Sequence, residues 1–317
     1  MNITELRSKR FMLRSATIAV LLILLATLPL YLPGYPVILL SSILMYVILT
    51  VSWVLFSGPT GYISLAPAAF FGIGIYTTAI IGKAIPFIVV VAIGGAASFC
   101  LALIVGALTL RLRGIYFAVF TFGLLMLIYN CINYYEIHFM GTRGRFVMVK
   151  DYNTIYYYML GIFVLLIIAS IVIKNSKYGL ALICIGQEEG AAEHTGVNVV
   201  MVKVIVFAIS AFFMGASGAV MATKWTYIDP GIAFYMLYSF MPVLMAIFGG
   251  MGQLYGPIIG SAIFTYLEEF LITSFPELYM LIFGMILVIA ILYLPDGLVG
   301  LIQKILKQLM ERKHVHT

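Results

Sequence analysis

Charge is what this sequence lacks most. Asp, Glu, Lys and Arg together make up only 9% of its 317 residues, whereas 63% are hydrophobic. Soluble globular proteins usually contain about 25% charged residues. So few charges cannot cover a water-exposed surface, which excludes a soluble globular protein. Because one bilayer crossing takes roughly 20 apolar residues, we expect an all-α integral membrane protein, formed as one domain over residues 1–317 with no soluble domain attached.

The side chains that bind metals, nucleotides or cofactors are also missing. Three cysteines, Cys100, Cys131 and Cys184, lie far apart and indicate neither a disulfide framework nor a metal site. The four histidines lie in polar segments without a ligand partner at helical spacing. No phosphate-binding loop of the G-x-x-x-x-G-K type, nucleotide fingerprint or Ser/His/Asp set occurs. We therefore expect no metal, no cofactor and no catalytic residues in this chain, and no ATP site of its own.

Long apolar runs are what the sequence has instead. No Asp, Glu, Lys, Arg or His occurs between Arg14 and Lys83. That stretch is long enough for three crossings, and Gly- and Pro-containing turns at 33–36 and 57–61 divide them. A fourth crossing ends before Arg111. Six more apolar runs bring the prediction to about ten crossings, and they cover 114–135, 155–173, 199–223, 234–250, 256–272 and 279–294.

Basic residues are distributed unequally between the two ends of these crossings. With the N-terminus inside, thirteen of the 18 Lys and Arg residues lie at inner ends and five at outer ends. Cytoplasmic loops of membrane proteins have an excess of Lys and Arg, so we expect both termini in the cytoplasm. The same distribution accounts for the net charge of +6, and we expect no nucleic-acid partner. A basic N-terminus before a long apolar run predicts an uncleaved first helix.

One long polar segment, residues 174–198, interrupts the apolar runs on the inner side. Its carboxylates Glu188, Glu189 and Glu193 lie within six positions, and a helix over about 180–195 would place Glu189 and Glu193 on one face. We expect this cytoplasmic segment to be the element through which a soluble motor moves the membrane domain. The helix would end at Gly196 and would pack Leu182, Ile183 and Ile185 on the membrane helices.

Small residues cluster at two inner turns, over 58–74 and 249–262. Small side chains let helices approach closely in lipid, and helices broken by Gly and Pro line transport sites. Close packing and a translocation path both remain open for these residues. Two further candidates, Glu268 and Glu269, lie near the outer end of the ninth crossing. Carboxylates inside a membrane are functional candidates, although we expect this pair to lie in water at the interface.

The order and spacing of several motifs resemble one family, the membrane permease subunits of bacterial and archaeal ABC importers for branched-chain amino acids. The resemblance extends from about Gly58 to Leu301 and implies a type II ABC importer-like fold. Three positions differ from the residues that the family more often has: Tyr62, Ala66 and Pro67. The matching stretches are Gly58-x-x-Gly61-x-x-Ser64-Leu65, Leu110-Arg-Leu-Arg-Gly-Ile-Tyr-Phe-Ala118, Ala191-Ala192-Glu193-x-x-Gly196-x-Asn198, Gly249-Gly250-x-Gly252-x-x-x-Gly256-Pro257 and Pro295-x-Gly297-Leu298.

The resemblance implies partners and a location. A second, related permease would complete the pore, two cytoplasmic ABC ATPases would drive it, and an external solute-binding protein would deliver the amino acid. The location would be the plasma membrane of a prokaryote. Permeases for urea, amides or other amino acids share the pattern, so these substrates stay open. A secondary transporter or channel, in which 174–198 is only a loop, is the alternative from another class.

The resemblance, the small-residue clusters and the polar outer segments together predict three sets of site residues. The ATPase-coupling set is Gln187, Glu188, Glu189, Ala191, Ala192, Glu193, Gly196 and Asn198. The translocation path would include Gly61, Ser64, Gly72, Gly74, Gly249, Gly250, Gly252, Gly256 and Pro257. The binding protein would dock on the external segment 136–153 and on 224–231, with Arg143, Arg145, Lys150, Lys224 and Asp229 as charge partners.

Overall fold

Apolar runs separated by Gly, Pro and polar residues form successive helices. A computed structural model describes residues 22–32, 34–112, 114–293 and 297–301; the predicted position of both termini lies outside them. The helices are α1 (Leu22–Tyr31), α2 (Tyr35–Thr60), α3 (Pro67–Ile81), α4 (Phe87–Thr109), α5 (Ile115–Tyr135), α6 (Tyr152–Lys174), α7 (Lys177–Gln187), α8 (Glu189–His194), α9 (Val199–Met221), α10 (Pro230–Ala233), α11 (Leu237–Gly249), α12 (Tyr255–Ser274) and α13 (Tyr279–Tyr293).

Short irregular elements lie on the predicted outer side. A π-helical turn over Glu136–Met140 continues α5, and a 3₁₀ turn over Ala222–Lys224 continues α9. Two two-residue strands, β1 (Arg145–Phe146) and β2 (Tyr227–Ile228), pair antiparallel. The described part of the chain is therefore almost entirely α-helical, as the composition predicts.

Six helical stretches of the described chain are long and apolar enough to cross a bilayer. Helices occur at all ten predicted places, but α1 and α3 are shorter apolar helices, and neither α12 nor α13 is among the six. The number of ten crossings therefore stays a prediction, whereas the all-α membrane fold is established. The six stretches are Tyr35–Thr60, Phe87–Thr109, Ile115–Met140, Tyr152–Lys174, Val199–Lys224 and Pro230–Gly249.

The predicted single helix over 180–195 is wrong. The chain forms α7 and α8 with an extended residue, Glu188, between them (φ −156°, ψ 111°). The break lets two contacts form at once: Gly186 packs against the backbone of Pro59 at the end of α2, while Glu189 reaches an ion pair on α9. Leu182 and Ile185 are buried as expected, but Ile183 is 46% exposed.

The predicted stop at Gly196 is confirmed. Gly196 has a φ of +84° and donates its N–H to the Glu193 carbonyl, and the next residue, Val197, donates to the Ala192 carbonyl. These two hydrogen bonds define a Schellman motif, in which glycine takes the left-handed conformation. Asn198 then caps α9, since its side-chain oxygen accepts a hydrogen bond from the N–H of Met201 (3.0 Å).

Glycines bring α3 and α4 into close contact with α9. A Cβ added at Gly74 would collide with the carbonyl oxygen of Gly215, and one at Gly218 with the carbonyl oxygen of Phe71. On α4, a Cβ at Gly94 would lie 2.8 Å from the Cβ of Ala219. Small residues allow this backbone approach in lipid, so close packing accounts for Gly74.

Replacing Gly74 by Val tests this packing. Forcing a larger side chain into a packed core typically lowers folding stability by about 1–3 kcal/mol. The side chain of a valine at position 74 would meet backbone atoms, which cannot rotate away. We expect Gly74→Val to lower the yield of monodisperse protein in size-exclusion chromatography. Gly161→Val on α6 is the matched control, because nothing lies within 4 Å of a Cβ there. Equal yields from the two variants would contradict the packing described.

Candidate functional site

The chain runs without helix from Gly61 to Ala66, between α2 and α3. Backbone polar groups in the hydrocarbon region must find partners inside the protein. Here, side chains of other helices supply them. Trp53 donates to the Ser64 carbonyl (2.8 Å), Thr121 accepts from the N–H of Leu65 (2.9 Å), and Ser239 both donates to the Leu65 carbonyl (2.9 Å) and accepts from the N–H of Ala68 (3.1 Å).

A buried lysine, Lys203, contacts this segment through Tyr62. Lys203 is on the second turn of α9, and its side chain is 1% exposed. Its ammonium donates to Glu189 Oε1 (2.5 Å), to the Leu110 carbonyl (2.9 Å) and to the Tyr62 hydroxyl (3.2 Å). An ammonium has three protons to donate, so every one of them has an acceptor. We call Lys203, Glu189, Tyr62 and the Leu110 carbonyl the Lys203 cluster.

The other two side chains of the cluster also bind each other. Tyr62 donates its hydroxyl to Glu189 Oε2 (2.9 Å), and the Lys203 ammonium lies 4.6 Å from the centre of the Tyr62 ring. Glu189, with a side chain 14% exposed, thus has a donor on each carboxylate oxygen. Removing one partner of a buried ion pair leaves the other charge uncompensated, at a cost of about 3–5 kcal/mol. The cluster therefore fixes α8 to α9 and to the Gly61–Ala66 segment.

The predicted coupling residues lie on two different sides of α7 and α8. Glu189 and Ala192 face the membrane helices. The rest of the set is exposed: Gln187, Glu188, Ala191, Glu193, Gly196 and Asn198. Glu189 and Glu193 therefore do not share one solvent-facing surface, because Lys203 holds the first of them inward.

A second interruption separates α10 from α11 at Phe234–Met236. The Phe234 ring stacks on Tyr76 with 5.6 Å between ring centres, and it fills the space where a Cβ of Gly72 would be. Ser239, on the first turn of α11, is the residue that binds the Gly61–Ala66 segment. The first interruption therefore contacts the start of α11, and the second interruption contacts α3.

The small residues of the inner turn after α11 have two different surroundings. A Cβ at Gly249 would collide with the carbonyl oxygen of Gly256, and one at Gly256 with the carbonyl oxygen of Gly250, so α11 and α12 touch through their backbones. Gly252 is exposed, and nothing lies within 4 Å of a Cβ there. Packing accounts for Gly249 and Gly256 but not for Gly252.

An apolar groove of about 260 Å³ opens beside this turn. It lies between the C-terminal ends of α2 and α6, helix α7 and the turn over residues 251–254. The groove places part of the second small-residue cluster next to α7, in the predicted coupling segment. Its lining includes Gly58, Pro59, Lys174, Leu182, Gly252 and Pro257.

The two outer segments predicted to receive a partner form one surface. Strands β1 and β2 join them, with Arg145 opposite Ile228. Behind the strands, Glu136 is 1% exposed; its carboxylate accepts the N–H of Gly144 (2.8 Å) and lies 3.6 Å from Arg145 Nε. The buried carboxylate therefore holds the Arg145 loop against the end of α5.

The predicted charge partners on this surface differ in orientation. Arg143 and Lys150 are exposed. Arg145 pairs with Glu136, and Asp229 caps α10 by accepting the N–H of Ile232 (2.8 Å). Lys224 is half-buried and donates to Ser42 on α2 (3.2 Å). Of the five candidates, Arg143 and Lys150 are thus the ones whose charges face solvent.

Two charged residues of the site, Lys203 and Glu136, were not predicted to be buried. Lys203 was counted among inner-end cations, although it follows Val199, where the seventh crossing begins. A lone lysine inside an apolar run is a signal of a buried partner, and Glu189 is the nearby carboxylate. Glu136 is the first residue of the predicted external segment 136–153, and nothing in its sequence context indicates burial. The pair Glu268 and Glu269 is half-buried on α12, where Glu269 accepts a hydrogen bond from Tyr35 (2.5 Å).

The long apolar helices define a multi-pass membrane protein. A non-helical segment whose backbone groups are hydrogen-bonded by side chains separates two of these helices, as in transport permeases. A family model described as the permease component of branched-chain amino acid transport systems matches residues 35–291. The chain belongs to this family.

Within the described ranges, the three cysteines are exposed and unpaired, and no group of His, Cys, Asp or Glu side chains could hold a metal ion.

Curated relatives agree with the family. LivM, the high-affinity branched-chain amino acid transport permease of Salmonella typhimurium, is 24% identical over 300 residues, which cover 83% of this chain and 70% of LivM. LivM of Escherichia coli has the same identity and coverage. The ribose import permease RbsC of Haemophilus influenzae is 30% identical over 155 residues, or 45% of this chain and 48% of RbsC. No solved structure matches significantly.

Single-cysteine labelling tests the sidedness of the two surfaces. In a background without Cys100, Cys131 and Cys184, we expect Val149→Cys to react with an impermeant maleimide in intact cells. Glu188→Cys should react only after permeabilisation, since positive-inside topology places 174–198 in the cytoplasm. Both positions are exposed, so burial cannot hide them. External labelling at position 188 would contradict the orientation.

Proposed function

We propose that this chain is the translocating subunit of an ATP-driven importer of branched-chain amino acids in a prokaryotic plasma membrane. Membership of the permease family and the similarity to two LivM proteins support the substrate class. The partners are a second, related permease, two cytoplasmic ABC ATPases and an external solute-binding protein. Both termini face the cytoplasm.

The observation on which the ATP-driven mechanism rests is the exposed side of α7 and α8. These two helices lie between the crossings formed by α6 and α9, and their exposed residues include the carboxylates Glu188 and Glu193. An acidic exposed surface on an otherwise basic inner face favours contact with basic side chains of a soluble partner. The docking surface for the ATPases is therefore Gln187, Glu188, Ala191, Glu193, Gly196 and Asn198.

The binding protein docks on the opposite side, on the surface joined by β1 and β2. Arg143 and Lys150 are its charge partners, because their side chains are exposed whereas Arg145, Lys224 and Asp229 are engaged within the permease. The β1–β2 pairing lets the two outer segments respond to the partner as one unit.

The translocation path follows the two helix interruptions. The Gly61–Ala66 segment and the start of α11 meet through Ser239. Broken helices whose backbone groups are satisfied by side chains are typical of the sites that transporters use for substrate. Gly72 lies on this path because the Phe234 ring that covers it belongs to the second interruption, and Ser64 lies on it as part of the first.

Reversing a charge on α8 tests ATPase docking. We expect Glu193→Lys to weaken co-purification of the ATPases roughly tenfold, which corresponds to about 1.4 kcal/mol, and to lower leucine-stimulated ATP hydrolysis with it. Glu277→Lys, an exposed residue before α13, is the matched control. Unchanged co-purification and stimulation in the Glu193→Lys complex would contradict docking on this surface.

Uptake by the reconstituted complex tests the function itself. In proteoliposomes that contain the permeases and ATPases, we expect uptake of labelled leucine to require internal ATP and external binding protein. Unlabelled isoleucine and valine should compete, whereas urea and ribose should not. Uptake that follows an ion gradient without ATP, or competition by urea instead of valine, would contradict the proposed function or its substrate.

A further inference from the structure

We propose that the Lys203 cluster transmits the movement of α8 to the Gly61–Ala66 segment, so that Glu189, Lys203 and Tyr62 are positioning residues of the transport cycle. The proposal rests on the proposed function and goes beyond it. The predicted coupling set treats Glu189 as a residue that contacts the ATPase. The structure instead gives the Glu189 carboxylate two hydrogen bonds inside the permease, from Tyr62 and from Lys203, and leaves the docking surface to its neighbours.

The cluster connects four elements through one charged group. Lys203 belongs to α9, the Leu110 carbonyl is the end of α4, Glu189 is the first residue of α8, and Tyr62 is the second residue of the non-helical segment. Both side-chain charges and all three ammonium protons are satisfied within the cluster. No single element can move away without leaving a buried polar group unpaired, which is unfavourable in a low-dielectric interior.

Of these elements, the Gly61–Ala66 segment is the one that can change conformation most easily. Helices α4 and α9 are in extensive contact, including close approach near Gly94, and we expect such tightly packed helices to move as one rigid pair. The segment lacks helical hydrogen bonds and is held by side chains. Non-helical residues between rigid helices are where hinge rotations occur. A displacement of α8 therefore reaches the segment through Tyr62 before it reaches the α4–α9 pair.

From Tyr62 the displacement has a short route to other helices. Leu65, three residues further along, binds Thr121 on α5 and Ser239 on α11. The Tyr62 ring also packs on Phe117 of α5, with 5.6 Å between ring centres. A rotation of the segment thus changes contacts on α5 and on the helix that follows the second interruption. The start of α11 belongs to the proposed translocation path.

The test measures leucine transported per ATP hydrolysed by the complete transporter in proteoliposomes. The variants are Glu189→Gln, Lys203→Met and the double variant, with Glu277→Gln and Lys83→Met as matched controls in exposed outer loops. We expect each single variant to lower transport per ATP roughly tenfold, within the usual range of coupling between sites, while the ATPases co-purify in normal amounts. Transport per ATP in the double variant should be no lower than in the more impaired single variant, because both substitutions remove the same interaction.

Tyr62→Phe keeps the test decisive if removing a buried charge prevents folding. This variant keeps the ring and the ion pair and removes only the hydroxyl that binds Glu189 and Lys203. We expect it to assemble normally and to lower transport per ATP. A merely structural cluster predicts a lower unfolding temperature with unchanged transport per ATP, and that result would overturn the proposal.

Two further outcomes separate this proposal from the proposed function. Wild-type transport per ATP in Tyr62→Phe and Glu189→Gln, in a complex whose wild type couples leucine uptake to ATP, would overturn the proposal alone. Effects of Glu189→Gln and Lys203→Met that multiply in the double variant would also overturn it. Leucine uptake by the wild-type complex without ATP hydrolysis would instead refute the proposed function, and the present proposal with it.

Discussion

A lysine ammonium buried inside an apolar protein must be surrounded by acceptors, and the inner half of this permease is arranged around that requirement. Lys203 obtains a carboxylate, a phenol and a carbonyl from three different elements. The same requirement separates α7 from α8 at Glu188, because Glu189 turns inward to α9 while α7 packs Gly186 on the end of α2. One charge thus determines the shape of α7 and α8, and it leaves Glu188 and Glu193 exposed to a partner.

The membrane domain combines a rigid part with deformable ones. Helices α3, α4 and α9 touch through glycines, so their backbones cannot slide past each other without collision. The Gly61–Ala66 segment is not helical and is held by the side chains of Trp53, Thr121 and Ser239, and a second break interrupts the helices at Phe234–Met236, after α10. An importer requires both properties: the rigid part holds the subunit together, while the deformable segments are where a path can open and close.

The sequence predicted the helices well and the contacts between them poorly. Long apolar runs and the Gly and Pro residues between them determine where helices begin and end, which is why the helix end at Gly196 was predicted correctly. The turn predicted over 57–61 begins later, at Gly61, because α2 continues through Pro59 to Thr60. The break at Glu188 could not be predicted, because it depends on Lys203, a residue of another helix. The same holds on the outer side, where Glu136 turns Arg145 inward and Ser42 binds Lys224. Gly74 and Gly252 look alike in sequence, yet only Gly74 faces a neighbouring backbone.

Electron–electron distance measurements between spin labels test most directly whether α8 and the Gly61–Ala66 segment move together. Labels at Ile63 and His194, both exposed, report on the two elements, and a label at Val172 on α6 provides a reference. Cys100, Cys131 and Cys184 are first replaced. When the complete transporter goes from its nucleotide-free to its ATP-trapped state, we expect the distance between the labels at 63 and 194 to stay unchanged. The distances from each of these two labels to the label at 172 should both change. A changed 63–194 distance, with position 63 fixed relative to α6, would contradict it.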